Sequence, residues 1–384
     1  MNKKTTRKQQ YNGMDSDLYL AFELGAPKWK LAFTVGLGQK PRIRNIPIHD
    51  RKALEKEIAA AKKRFHLTED VRVVSCYEAG RDGFWLHRYL TSIGVENLVV
   101  DSSSIEVNRR KRRAKTDRLD AEKLVEMLIR YHFFGHKKIW SIVRVPSVEA
   151  EDRRQLHRER QALKKEKDRT MNRIRGLLAT QGIRLGPRIS LREKQLASLR
   201  LWDGSLLPGR LRNRLKREWE HMMFLKNQIA TVEKERRDEI RRSEEPDVEK
   251  ILMLRKLKGI GDVSSWVMVR EYFGWRKFNN RKEVGSLSGL TGTPYDSGKG
   301  KREQGISKAG NRRVRSVAVE LAWSWIRYQP GSKLTQWFMR RFAEGGKRAR
   351  KVGIVGVARQ LLIALWRFLQ WGVIPDGAEL KATI

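Results

Sequence analysis

A single cysteine, Cys76, in 384 residues excludes a disulfide scaffold, and no cysteine pair exists to build a zinc finger. The 7 histidines are scattered without ligand-like spacing. No G-x-x-x-x-G-K-[ST] run occurs, so an ATP-binding P-loop is excluded. The N-terminus, MNKKTTRKQQ, lacks the apolar core of a signal peptide. Long apolar runs are missing too. The best stretch, Gly353 to Ile374, is broken by Arg359, Gln360 and Arg367, so no membrane span is expected. Acidic residues are few beside basic ones: 44 Asp and Glu face 83 Lys and Arg, a formal net charge of +39. An excess of that size points to a polyanionic partner, with nucleic acid first among them. The expectation is a cytoplasmic protein with no membrane partner that faces nucleic acid.

What is present argues for two or three folded domains. The length exceeds one ordinary domain, and 40% hydrophobic residues with 12 Trp and 12 Phe suffice for real cores. Residues 1–16 read as a basic, mobile arm. Residues 17–146 read as α/β. Apolar runs at Leu18–Leu24, Trp29–Val35 and Arg42–Pro47 are separated by the turn signals Gly25-Ala26-Pro27 and Gly36–Gly38. A helix is expected over 51–65, a strand over Val71–Tyr77, a helix through Phe84–Leu90 and a strand over Val95–Val100. A last helix starts at the N-cap candidate Thr116. Short turns imply an antiparallel meander for the first three strands, and helical links imply parallel pairing for the next two.

Residues 147–250 turn charged and helical. Leu215, Met222 and Ile229 repeat every seven residues, with Leu225 and Val232 three positions after the last two, while Glu218 takes a position where an apolar residue is expected. A second helical pattern over 149–181 carries Leu156, Leu163, Ile174 and Leu177. The two read as a helical hairpin or coiled-coil arm, or as part of a four-helix segment. Residues 251–384 read as a mostly helical domain with a Gly-rich basic loop over 285–311.

Four carboxylates fall where an α/β sheet gathers strand ends and helix starts. Glu23 lies near the end of the first strand and Glu78 follows the fourth. Asp117 and Asp120 lie one turn apart at the start of the last helix. Convergent carboxylates suit Mg2+, one or two ions per site, which polarises a scissile phosphate. The bland alternative is that Asp117 and Asp120 simply favour a helix N-terminus. Upstream, Arg109, Arg110, Lys111, Arg112, Arg113 and Lys115 form a tract suited to a phosphate backbone. Lys258, Gly259 and Gly261 resemble a helix-hairpin-helix turn whose amides bind phosphate. Downstream, Ser297 and Ser307 lie among glycines, the polar Asn311 and the cations Lys299, Lys301, Arg302, Lys308 and Arg312, a set suited to nucleic acid where a serine could attack a phosphodiester. The alternative there is a phosphate-binding loop with incidental serines.

Five ordered motifs carry a resemblance to a known family: AFELGAPKWKLAF, CYEAGRDGFWLHRYL, KTDRLDAEKL, LRKLKGIGDV, and SGLTGTPYDSG with GISKAGNRRVR. Over nearly the whole chain beyond the basic arm, the sequence resembles the DEDD transposases of the insertion-sequence one-ten type, bridge-RNA-guided recombinases of bacterial mobile elements. The resemblance implies an RNase H-like (RuvC-like) mixed-sheet domain over 17–146, a coiled-coil arm over 147–250 and a serine-containing transposase domain over 251–384. It implies Glu23, Glu78, Asp117 and Asp120 as metal-binding acids, with Glu23 standing where Asp is commoner. Ser297 matches the nucleophile best, Ser307 competes and Ser288 comes third. Donor and target DNA, a noncoding guide RNA and a homotetramer with composite active sites are the implied partners. Two other readings of the residues are a RuvC-like structure-specific endonuclease using water and a noncatalytic nucleic-acid-binding scaffold.

Overall fold

The structure is a computed structural model. It describes residues 17–105, 116–136, 139–186, 190–242, 245–297 and 300–382, with backbone alone for 294–297 and 300–304. The basic arm 1–16, the tract Arg109–Lys115, and Lys299 lie outside the described residues. The chain forms two compact units, residues 1–145 and 146–384.

The first unit is built on a five-stranded sheet in the order β3-β2-β1-β4-β5. Its strands are β1 (Leu18–Leu24), β2 (Lys28–Thr34), β3 (Arg42–Pro47), β4 (Val73–Glu78) and β5 (Glu96–Val100). The meander β1-β2-β3 is antiparallel, and β1, β4 and β5 run parallel. Helices α1 (Arg51–Arg64) and α2 (Trp85–Ser92) provide the links that parallel neighbours require. Asp50 caps α1 by accepting from the Ala53 amide at 2.9 Å.

The central strands β1 and β4 are apolar on both faces because both faces are covered. Leu18, Leu20, Phe22 and Tyr77 share one core with Leu54, Ile58, Leu86 and Leu90 of α1 and α2. Tyr19, Ala21, Val74 and Cys76 share the other with Leu124, Val125 and Leu128 of α3 (Asp117–His132). Burial pushes the Cys76 thiol far above its ordinary value, so it is an inert core residue.

The second unit contains α4 (Val148–Asp152), α5 (Gln155–Ala179), α6 (Glu193–Ser198), α7 (Gly209–Arg242), α8 (Pro246–Lys256) and α9 (Asp262–Met268). A π-helical turn, Val269–Phe273, extends α9. Then come α10 (Arg281–Ser286), the hairpin β6 (Gly292–Ser297) and β7 (Gly300–Ile306), α11 (Arg312–Tyr328), α12 (Lys333–Phe342) and α13 (Lys347–Trp371). Helices α5 and α7 pair, and the α7 stripe Leu215, Met222, Leu225 and Val232 is buried within the chain. Glu218 is compensated there by a two-pronged pair with Arg173 of α5, with Nη2 to Oε2 at 2.9 Å.

By length and composition α13 could cross a membrane, a description that a buried core helix also meets. Its apolar residues have another destination. Ile354, Val357, Leu361 and Leu365 lie at the centre of the second unit's core, with Trp325 of α11 and Phe338 of α12.

The segment 285–311 departs from expectation. It is not a loop: α10 ends within it, and a two-stranded hairpin occupies its middle. Gly292, Gly300 and Gly305 lie in its strands, Gly292 beside a register shift to Pro294, where glycine accompanies strands rather than breaking them. Two other glycines fix the hairpin's base. Gly289 and Gly310 adopt φ of +71° and +87°. A Cβ at Gly310 would lie 2.1 Å from the Leu287 carbonyl oxygen, and one at Gly289 2.0 Å from that of Ala309. The amides of Ser307, Lys308 and Asn311 donate across this contact to Thr291, Gly289 and Leu287. Gly310→Ala is therefore expected to destabilise the protein by about 2 kcal/mol, measured as a lowered urea midpoint. An unchanged midpoint would show that the close approach is dispensable.

Candidate functional site

The four acids share one edge and one face of the first unit's sheet. Phe22 pairs with Tyr77 across parallel β1 and β4, so the next residues, Glu23 and Glu78, are neighbours at the strands' C-terminal edge. Strand alternation puts both on the face bearing Tyr19, Ala21, Val74 and Cys76, which α3 covers. Helix α3 runs against the strands. At its end, His132 meets Tyr19 and Arg72 near the strand starts, with Nδ1 3.4 Å and Nε2 2.8 Å from their polar atoms. Its first turn, with Asp117 and Asp120, thus belongs to the edge that carries Glu23 and Glu78. Both aspartates lie on the stripe that continues into the buried residues Ala121 and Leu124. Thr116 caps the helix by accepting from the Leu119 amide at 3.4 Å.

As donors, all four are hard carboxylate oxygens, the kind a divalent cation such as Mg2+ takes. Among the described residues no three Asp, Glu, His or Cys side chains are grouped to hold a metal ion. The acids fit a metal in chemistry and place, and do not form a closed cage.

In the second unit Ser297 is the last residue of β6 and pairs with Gly300, the first of β7; Asp296 pairs with Lys301 and Tyr295 with Arg302. Ser297 thus stands at the hairpin's turn end, with cationic residues on the facing strand. Ser307 is exposed beyond β7, where Lys308 takes a φ of 56°. Ser288 is fully buried and donates to the Gly285 carbonyl at 2.8 Å, which removes it as a nucleophile. Asn311 is the N-cap of α11, accepting from the Arg313 and Val314 amides at 2.9 and 3.3 Å. Arg312 follows it, exposed.

In the turn at Lys258, Gly259 and Gly261, several amides have partners within the chain. The Lys258 amide donates to the Glu379 carbonyl, that of Ile260 to Leu257, and that of Gly261 to the Ser264 hydroxyl. The Lys258 ammonium pairs with the Glu379 carboxylate. Gly259 (φ +81°) instead permits close packing on α11, whose Ser324 hydroxyl donates to its carbonyl at 2.7 Å.

Comparison with known proteins identifies the family. The model of the transposase IS116/IS110/IS902 family matches residues 252–336, which span the hairpin. A DEDD transposase model of the IS110 type matches residues 39–181, which include Glu78, Asp117 and Asp120 and leave Glu23 outside. The y4rJ protein of Sinorhizobium fredii, named as a transposase, is 38% identical over 376 residues, 95% of this chain and 94% of the relative. The chain belongs to the IS116/IS110/IS902 transposase family. The transposase for insertion sequence element IS1328 of Yersinia enterocolitica is 28% identical over 185 residues, 47% of this chain and 53% of that one.

One polar centre of the transposase was not anticipated from its sequence. The fully buried carboxylate of Glu271 accepts from His157 Nε2 at 2.7 Å, Arg158 Nε at 2.8 Å and Nη2 at 3.0 Å, and Asn311 Nδ2 at 2.9 Å. Its neighbour Arg270 is also buried. It meets Glu239 at 2.5 Å, Asp247 at 3.1 Å and Glu245 at 3.3 Å, and lies over the Trp266 ring. The signal in the sequence was an Arg-Glu pair inside the otherwise apolar run Trp266–Phe273.

Burial alone would raise the Glu271 pKa, but the hydrogen bonds from His157 and Arg158 hold it well below the carboxylate range. Burial lowers that of His157, which stays neutral and donates through Nε2. Both shifts have the same sign of consequence. In the unfolded chain His157 takes up a proton below its ordinary value of 6.5, and Glu271 does so below 4.5. Stability is therefore expected to fall as pH drops below about 6.5, and more steeply below about 4.5. Glu271→Gln should cost about 3 kcal/mol near neutrality and flatten the steeper part of a melting-temperature profile against pH. A variant as stable as the parent across that range would contradict this role.

Proposed function

We propose that this transposase cuts and rejoins DNA through a covalent bond between Ser297 and a strand's 5′ phosphate, with Glu23, Glu78, Asp117 and Asp120 as the acids for Mg2+. The observation that carries this reading is that Glu23 and Glu78 are neighbours at the C-terminal edge of β1 and β4, on the face covered by α3, whose first turn bears Asp117 and Asp120. The strand order, antiparallel on one side of β1 and parallel on the other, supports an RNase H-like (RuvC-like) domain. The α5–α7 pair supports reading 147–250 as the arm and 251–384 as the serine-bearing domain. The ion, when bound, neutralises charge on the scissile phosphate.

The serine Oγ loses its proton to a base and attacks phosphorus. The bond from phosphorus to the 3′ oxygen breaks, and that oxygen leaves as a hydroxyl. Rejoining reverses the roles: a 3′ hydroxyl attacks the phosphoserine, and Oγ regains its proton. One phosphoester bond replaces another at each step, so no nucleotide triphosphate is needed. Lys301 and Arg302, facing Ser297 and its neighbours across the hairpin, supply positive potential that favours the alkoxide and the phosphate. In this reading the partners are donor and target DNA, a noncoding guide RNA and further copies of the chain in a tetramer, acting in the bacterial cytoplasm. The net charge of +39 supports a nucleic-acid partner in general, and the family resemblance supports the guide RNA and the tetramer.

Asp117→Ala and Asp120→Ala are expected to lower Mg2+-dependent strand cleavage by about a hundredfold or more while leaving DNA and RNA binding nearly unchanged. Ser297→Ala should abolish cleavage, and Ser307→Ala should retain part of it. Undiminished cleavage by the Asp120→Ala protein would count decisively against the acid site.

A further inference from the structure

The heptad-like seam of α7 does not end with its apolar residues. Leu215, Glu218, Met222, Leu225, Ile229, Val232 and Arg236 follow one another at alternating steps of three and four. Two charges therefore occupy positions that the helix turns inward. Glu218 has its partner in Arg173, whereas Arg236, only 7% exposed, has none: among the described residues no side chain hydrogen-bonds or ion-pairs with it, and its buried Nε lacks an acceptor. The two carboxylates whose charge reaches it are already engaged. Asp262 is held by Arg255 at 2.8 Å, and Glu233 by Arg160 at 2.7 Å.

Arg236 lines a cavity of about 190 Å³ in the second unit, bounded by α5, α7, α9 and α11. Lys164 and Arg313 add two more cations, and Arg160 a third that is paired with Glu233, against the single lining carboxylate of Glu320. Arg313 spends its Nε on a neutral acceptor, Gln161 Oε1, at 3.0 Å, which leaves its charge uncompensated by that bond. The remaining wall is largely apolar, with Val232 and Trp266 among it, so a charge bound there would be weakly screened. A buried guanidinium without an anion is costly, and an oxyanion with several acceptor oxygens removes that cost.

We propose that this cavity binds a phosphate of a nucleic-acid backbone, with Arg236 as its buried anchor and Lys164 and Arg313 as its rim. The space suits a phosphate and its sugar rather than a larger ligand. That the cavity takes an anion follows from its charges. That the anion belongs to a nucleic-acid strand rests on the transposase assignment, not on the cleavage chemistry proposed above.

The test measures binding by the full-length Ser297→Ala protein in chelator, so failure of the cleavage reading cannot mimic failure of this one. The probes are a labelled single-stranded DNA, its duplex and an RNA of the same sequence, each titrated at several salt concentrations. Adding Arg236→Met is expected to weaken at least one probe about tenfold and reduce the slope of log affinity against log salt by about one. The melting temperature of the free protein should stay the same or rise, because an unpaired buried charge is lost. The probe that weakens identifies the strand. If Arg236→Met fails to fold, Lys164→Gln with Arg313→Gln decides by the same readout. Unchanged affinity and slope for all three probes in the folded variants would overturn the proposal.

Discussion

Two adjacent residues of one π-helical turn, Arg270 and Glu271, carry opposite charges into the interior of the second unit, and the elements around the serine hairpin are tied to them. Glu271 reaches His157 and Arg158 at the start of α5 and Asn311 at the start of α11. Arg270 reaches the end of α7 and the start of α8. A regular α-helix would turn consecutive side chains about 100° apart with no extra residue to accommodate. The wider π turn lets both enter crowded polar surroundings, and such turns recur at functional positions. Removing either partner leaves a buried charge without its counter-charge, which is why such a centre holds its helices in one arrangement.

The hairpin depends on that centre through Asn311. The same side chain caps α11 with its oxygen and holds Glu271 with its nitrogen, and the backbone just before it, Ala309-Gly310, passes closely against Gly289 and Leu287. The base of the strands bearing Ser297 is thereby fixed to a buried ionic anchor. Under the proposed mechanism that base would position the serine, and in phosphoryl transfer most of the catalysis lies in placement and charge.

Much of the first unit was legible because its strands follow simple rules. Apolar runs bounded by Gly and Pro gave β1, β2 and β3 to within a residue or two, and Thr116 marked the start of α3 through its capping hydroxyl. The neighbouring positions of Glu23 and Glu78 at one strand edge were legible from topology, whereas the spacing of the four carboxylates depends on side-chain positions that no pattern encodes. In the second unit, glycines that accompany a hairpin and its tight base looked like loop signals. At the Lys258–Gly261 turn, the sequence did not show that the Glu379 carbonyl and the Ser264 hydroxyl accept from the Lys258 and Gly261 amides. Glu271 and Arg236 escaped notice because a charge in a helical pattern is normally a solvated one, and only packing reveals that it points inward.

The central claim is that Ser297 becomes covalently attached to DNA. Its most direct test is to let the protein cleave donor DNA with Mg2+ present, stop the reaction in denaturant, digest both polymers and map the nucleotide-bearing peptide by mass spectrometry. A 5′-phosphonucleotide on Ser297 is the predicted result. A nucleotide on Ser307, or strand cleavage with no protein-bound nucleotide at all, would contradict the account.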